Sequence, residues 1–234
     1  MSLSTTTKIS IAEEASRLAE PFTMVDLAQI DDLALSVFLC EGTMPFHRHL
    51  DQDELFLPYN GTIRIDSDWG GLTLRPGDAT VVPKGVGHRS SSLLRSLVLL
   101  VQARLMISRR NGHRRLSALK EEDGLPKISV PVAGREMAAD FEPRPLLDVD
   151  TFALTLAVCQ GQGPWQQADD GSSLVLCYQG QIDLESEFGD LSLHNGELVV
   201  VPRGTPYRLS SATRSLVLGV QRHPHPDPVP PDQP

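Results

Sequence analysis

The chain has 234 residues, a formal net charge of −9, and 18 glycines and 18 prolines. That length fits one large domain or two of about 100 residues. The acidity argues against a surface for nucleic-acid phosphates, and no apolar run approaches the roughly 18–20 residues of a membrane span. Met1 to Glu20 lack the basic start and apolar stretch of a secretory signal. Three cysteines make no disulfide framework, so a reducing cytoplasm is the expected compartment.

Taken in chain order, Ile11 to Ala19 is apolar at helical spacing and predicts a short helix ending before Pro21, within an N-terminal lead-in of residues 1–21. Short alternating runs follow: Leu33–Leu39, Glu54–Leu57, Thr62–Ile65, Ala79–Val82 and Leu97–Val101. Glycine-containing breaks at Asn60-Gly61, Trp69-Gly70-Gly71 and Pro76-Gly77-Asp78 separate them. β-Branched residues between turn signals at this spacing predict an all-β sandwich or barrel. Residues 103–140 are irregular and read as a linker, with a solvated basic cluster at Arg109–Arg115 and a helical turn around Leu116–Glu121. The strand pattern then returns over residues 141–222. Residues 223–234 alternate with proline and cannot pair in a sheet, so a disordered, extended tail is expected.

That return is a repeat. Residues 22–102 align with residues 141–221 at a constant offset of 119, and 27 of the 61 positions from Gly42 to Gln102 are identical. Cys40 and Cys159 occupy equivalent positions and read as small core residues, while Cys177 stands opposite Pro58. Gly61, Gly77, Pro83 and Gly85 recur as Gly180, Gly196, Pro202 and Gly204. Residues common to both copies are scaffold. His47, His49, Glu54 and His88 are not common: the second copy has Gln166, Ala168, Ser173 and Tyr207.

His47 and His49 are two apart, so a strand points both to one face. Glu54 opens the next strand after a short turn, and His88 follows the Pro83–Gly87 turn. Three imidazoles and a carboxylate converging in a barrel form a metal site that leaves about two positions open on a six-coordinate ion. Glu54 is also a candidate acid/base. Alternation from Glu54 puts Phe56 and Pro58 on the same wall, with Phe38 and Met44 beside them, as an apolar substrate pocket. Asp51 and Asp53 are expected on the solvent side of Glu54.

The runs His47-x-His49-x4-Glu54-x6-Gly61 and Gly77-x5-Pro83-x-Gly85-x2-His88 resemble the two motifs of the cupin superfamily. Phe46–Phe56 and Val82–Arg89 look most like its small mannose-6-phosphate-isomerase-like members. The resemblance spans both copies. It implies two tandem jelly-roll β-barrels, a bicupin: residues 22–102 hold one divalent ion on His47, His49, Glu54 and His88, and residues 141–222 form a degenerate barrel without metal. Fe(II) is favoured, though the same ligands accept Mn, Ni, Zn, Co or Cu. Cupins host many reactions and fold alone chooses none. The leading expectation is a metalloenzyme acting on a small oxygenated metabolite: a dioxygenase first, then an isomerase or lyase, then a decarboxylase. The alternative is a non-catalytic metal-dependent binder or sensor. A small-molecule ligand, no nucleic acid, no membrane, and a monomer or homodimer complete the expectation.

Overall fold

The structure, a computed structural model, describes residues 7–104, 124–167 and 169–223. The basic cluster, the turn expected at Leu116–Glu121, Ala168 and the tail from residue 224 lie outside them. Among the described residues no helix is long and apolar enough to cross a membrane. The first half comprises β1 (Ile9–Ser10), α1 (Ile11–Ala15), β2 (Met24–Ile30), β3 (Leu33–Thr43), β4 (Glu54–Asn60), β5 (Ile63–Ser67), β6 (Gly70–Leu74), β7 (Asp78–Val82) and β8 (His88–Ala103). The second comprises β9 (Ile128–Ser129), α2 (Val130–Glu136), β10 (Arg144–Val149), β11 (Phe152–Gln167), β12 (Ser173–Gln179), β13 (Gln181–Ser186), β14 (Leu191–His194), β15 (Glu197–Val201) and β16 (Pro206–Arg222).

Two eight-stranded antiparallel sheets result, each curling because one long strand serves two sets of neighbours. In the first, β8 pairs with β5 through His88–Ser91 and with β4 through Leu97–Gln102, while β3 runs along it from Ser91 to Ala103. In the second, β16 pairs with β13, β12 and β11 in the same way. These are the two tandem jelly-roll barrels expected from the repeat.

Leu33–Cys40 is buried at every position, so β3 has two covered faces. Phe38 and Cys40 point into the first barrel with Phe56, Val98 and Leu100. Their neighbours Leu35, Val37, Leu39, Leu57 and Leu99 point outward, against Leu154, Leu156, Leu176 and Leu218 of the second barrel. One apolar layer therefore joins the halves, and burying it removes each barrel's outer face from water.

The repeat also extends further toward the N-terminus than the strand pattern suggests. Lys8-Ile9-Ser10 recurs as Lys127-Ile128-Ser129 at the same offset of 119, inside the stretch read as linker. Each arm crosses to the other barrel. β1 pairs with β15 of the second sheet, and β9 pairs with β7 of the first. The contacts repeat too: Lys8 pairs with Glu197 at 3.0 Å and Lys127 with Asp78 at 2.8 Å. Tyr59 lies over Gly196, and Tyr178 over Gly77. Asp53 is not merely solvent-facing. Its carboxylate accepts from the Lys84 and Asp150 backbone N–H groups, both at 2.9 Å, and so ties the two barrels together.

Candidate metal centre

Local chain chemistry places each of the four side chains. His47 and His88 face each other as an antiparallel bridge, their backbones exchanging hydrogen bonds of 2.9 and 2.8 Å. The Gly85 N–H donates to the His49 carbonyl at 2.6 Å, which fixes the next turn of the site. Gly85 has φ +88, a left-handed conformation that favours glycine. Gly87 is required for another reason: a Cβ there would lie 2.6 Å from the Phe46 ring. Glu54 opens β4, paired in register with Val82 on one side and Gln102 on the other.

The structure brings His47, His49, Glu54 and His88 together, one ligand atom from each lying within 4.8 Å of all the others. His88 Nε2 is 2.9 Å from Glu54 Oε2, and His49 Nε2 is 3.4 Å from it. His47 Nδ1 sits 2.9 Å from the Pro45 carbonyl and His88 Nδ1 3.3 Å from that of Val86. A proton on each Nδ1 satisfies those carbonyls and leaves the Nε2 lone pairs facing the cluster, the arrangement metal-bound imidazoles use. Burial holds the His49 pKa below its ordinary value; Glu54 opposes that shift, and His47 and His88 reinforce it. The ring therefore stays neutral and able to donate a lone pair.

Two atoms test whether a cation fits. Glu54 Oε2 and His88 Nε2 are buried without a hydrogen-bond partner. Leaving such atoms unmet costs about 1–3 kcal/mol each in a closed site. A divalent ion bound by both would satisfy them, and three neutral imidazoles with one carboxylate are a suitable donor set.

The cluster opens into a cavity of about 200 Å³. Phe38, Met44 and Phe56 line it, as do Phe22, Met24 and Leu100, which sequence reasoning missed. Ser90 and Gln102 add two polar groups. A signal for both was present: each lies an even number of residues after His88 on the same strand. Pro58 does not line this cavity. It borders a small gap with Ile11, Leu57, Tyr59 and Gly196 at the junction. Pro58 is the last residue of β4 in register with β8, before a shift between Pro58 and Asn60, and so sits beyond the end of the cavity.

The second barrel is filled at the matching place. The Tyr207 hydroxyl donates to Gln166 Oε1 at 3.3 Å, and the Gln166 amide reaches the Phe141 carbonyl at 3.4 Å. Ser173 is buried beside them, and the remaining gap is about 20 Å³, room for little more than one water. Cys40, Cys159 and Cys177 are free and buried, and burial raises their pKa values to about 11, 12 and 11. They behave as core residues.

The family model described as homogentisate 1,2-dioxygenase N-terminal matches residues 154–224, in the second half. The uncharacterized protein YdbB of Bacillus subtilis is 29% identical over 89 residues, 38% of this chain and 79% of that protein. A cupin 2 conserved barrel domain protein from Leptotrichia buccalis superposes with a TM-score of 0.70 at 11% identity, covering 93% of this chain and 96% of that one. Salicylate 1,2-dioxygenase from Pseudaminobacter salicylatoxidans also superposes with a TM-score of 0.70, at 13% identity and over 95% and 85% of the two chains. With its two barrels and its motif residues gathered at one site, the chain has the fold of the cupin superfamily.

Proposed function

We propose that the first barrel holds one divalent metal ion on His47, His49, Glu54 and His88 and acts there on a small oxygenated organic molecule, as a dioxygenase. The convergence of His47, His49, Glu54 and His88, with Glu54 Oε2 and His88 Nε2 both buried and turned into the cluster, carries this reading, because a single divalent ion would meet all four donors at once. When bound, a divalent ion supplies Lewis-acid polarisation of substrate oxygens and, as ferrous iron, activation of dioxygen. Dioxygenase chemistry is favoured over isomerase, lyase or decarboxylase chemistry by the superposition on salicylate 1,2-dioxygenase over 95% of the chain; the homogentisate 1,2-dioxygenase N-terminal match lies in the second barrel and bears on the fold there.

The side chains divide the remaining work. Phe22, Phe38, Phe56 and Leu100 exclude water and accept a flat apolar body. Among the described residues no lysine or arginine lines the cavity, so one dipositive ion and the Glu54 carboxylate leave a single positive charge, which a monoanionic ligand neutralises. Glu54 Oε2, at 2.9 Å from His88 and 3.4 Å from His49, is also placed to take a proton from a bound hydroxyl.

The test is elemental analysis of freshly purified protein beside His49→Ala, followed by oxygen-uptake assays with hydroxylated aromatic acids. We expect about one equivalent of iron in the parent protein and a near-complete loss in the variant. Manganese, nickel or zinc at one equivalent would redirect the chemistry toward isomerase, lyase or decarboxylase reactions. No metal after reconstitution would overturn the proposal.

A further inference from the structure

Beside the four-residue cluster lies a second polar device. Gln102 lines the cavity and is paired in register with Glu54 across β4 and β8, so both side chains share one face of the sheet. The Gln52 amide donates to Gln102 Oε1 at 2.9 Å. Gln52 is only 6% exposed, and its own Oε1 is buried with no partner. Gln102 itself is half-buried, and its Nε2 has no hydrogen-bond partner among the described residues. A fold seldom buries an unsatisfied amide without a use for it. The second barrel shows that the scaffold does not need this pair: it keeps Gln221 opposite Gln102 but has Gly171 where Gln52 stands.

We propose that Gln102 is a substrate-binding residue and Gln52 the residue that positions it. With its oxygen held by Gln52, the Gln102 amide presents N–H donors to the cavity. They would read a hydrogen-bond acceptor on the ligand, next to the oxygens that the neighbouring cluster holds through its metal ion. The ligand class is then an aromatic or similarly flat monoanion with three oxygens near one edge, two for the ion and one for Gln102. This inference rests on the metal reading above.

The experiment compares two probes on full-length protein loaded with cobalt(II), following the metal's visible absorption bands. Salicylate offers two chelating oxygens and a third, free carboxylate oxygen. 2-Hydroxyacetophenone chelates through its phenol oxygen and a neutral ketone, with a methyl group in place of the third oxygen. The charge difference is common to every variant, so the change in preference on substitution is what reports Gln102. The ratio of their dissociation constants cancels differences in metal loading and general damage to the fold. We expect the parent protein to prefer salicylate, Gln102→Leu to cut that preference about tenfold, as loss of a hydrogen bond to a charged group does, and Gln52→Met to cut it about threefold. A preference unchanged in Gln102→Leu would overturn the assignment while leaving the metal reading intact. Absence of cobalt bands in every variant would overturn both.

Discussion

Where the first barrel holds His88 against Glu54, the second holds Tyr207 against Gln166. The first arrangement leaves buried polar atoms unmet and a cavity of about 200 Å³, whereas the second pairs its polar groups and leaves about 20 Å³. The same strands in the same register thus serve opposite ends. One interior is kept open and polar at a cost in stability, and the other is packed as core. The contrast predicts opposite responses to matched substitutions. Tyr207→Ala should destabilise the metal-free protein by about 3–5 kcal/mol, because a large ring leaves a cavity behind. His88→Ala should cost less, because the loss of its buried ring and of its Nδ1 contact to the Val86 carbonyl is partly offset by removal of an Nε2 that had no hydrogen-bond partner. Urea denaturation of both variants measures this. Equal losses would mean that the first barrel's interior is core as well.

The two barrels differ inside but share one apolar layer outside. Leu176 of the second packs in the same cluster as Leu57 and Leu99 of the first. Leu176→Ala should therefore cost about 2–5 kcal/mol and lower a single unfolding transition common to both halves. Two separated transitions would show that the barrels are independent, and the comparison would then concern two proteins in one chain.

Much of this was legible in the residues. Alternation and glycine breaks gave the strands, and the offset of 119 gave the two copies. Subtracting one copy from the other isolated His47, His49, Glu54 and His88. What escaped depended on three-dimensional context. Pro58 lies at the last in-register position of β4, at the junction rather than on the cavity wall. Gln52 and Gln102 meet across 50 residues, and no local spacing marks such a pair. The arms escaped for want of a longer look: Lys-Ile-Ser at residues 8 and 127 was visible, but three residues in a linker carry no strand signal of their own.

Titration gives a smaller contrast. Burial raises Cys177 to about 11, and Cys159 and Tyr207 to about 12, all in the second barrel, against Cys40 alone at about 11 in the first. Each group is an acid whose folded pKa lies above its unfolded value near 9, or 10 for the tyrosine. Folding therefore favours the protonated form. Its contribution is whole below pH 9 and is lost as pH rises toward 11 and 12. The urea midpoint should fall across that window, with hydrogen exchange rising first in β12 and β16. An alkaline loss that begins in the first barrel would contradict the assignment of the second as the more closed interior.

The crossed arms allow the comparison to be sharpened at its finest scale. Because β1 belongs to the second sheet, removing residues 1–10 should loosen β15, more than 180 positions away, and leave β7 protected. Intuition from chain order predicts the reverse, that the nearby first barrel suffers. Hydrogen exchange at Glu197–Val201 decides between them. Lys8→Ala and Lys127→Ala are the mildest probes. Each removes an ion pair that is partly exposed, with the lysine side chains 38% and 39% accessible, so each should cost under about 1 kcal/mol. Their near-equal size is the informative part. The two lysines occupy one repeat position and meet equivalent carboxylates, Glu197 and Asp78, so similar losses follow from the pseudo-symmetry. A clearly larger loss for Lys127→Ala would mean that the barrel with the open interior leans harder on its borrowed strand. The arm at residues 127–129 would then act as a brace for the first barrel, beyond its place as a duplicate of the other.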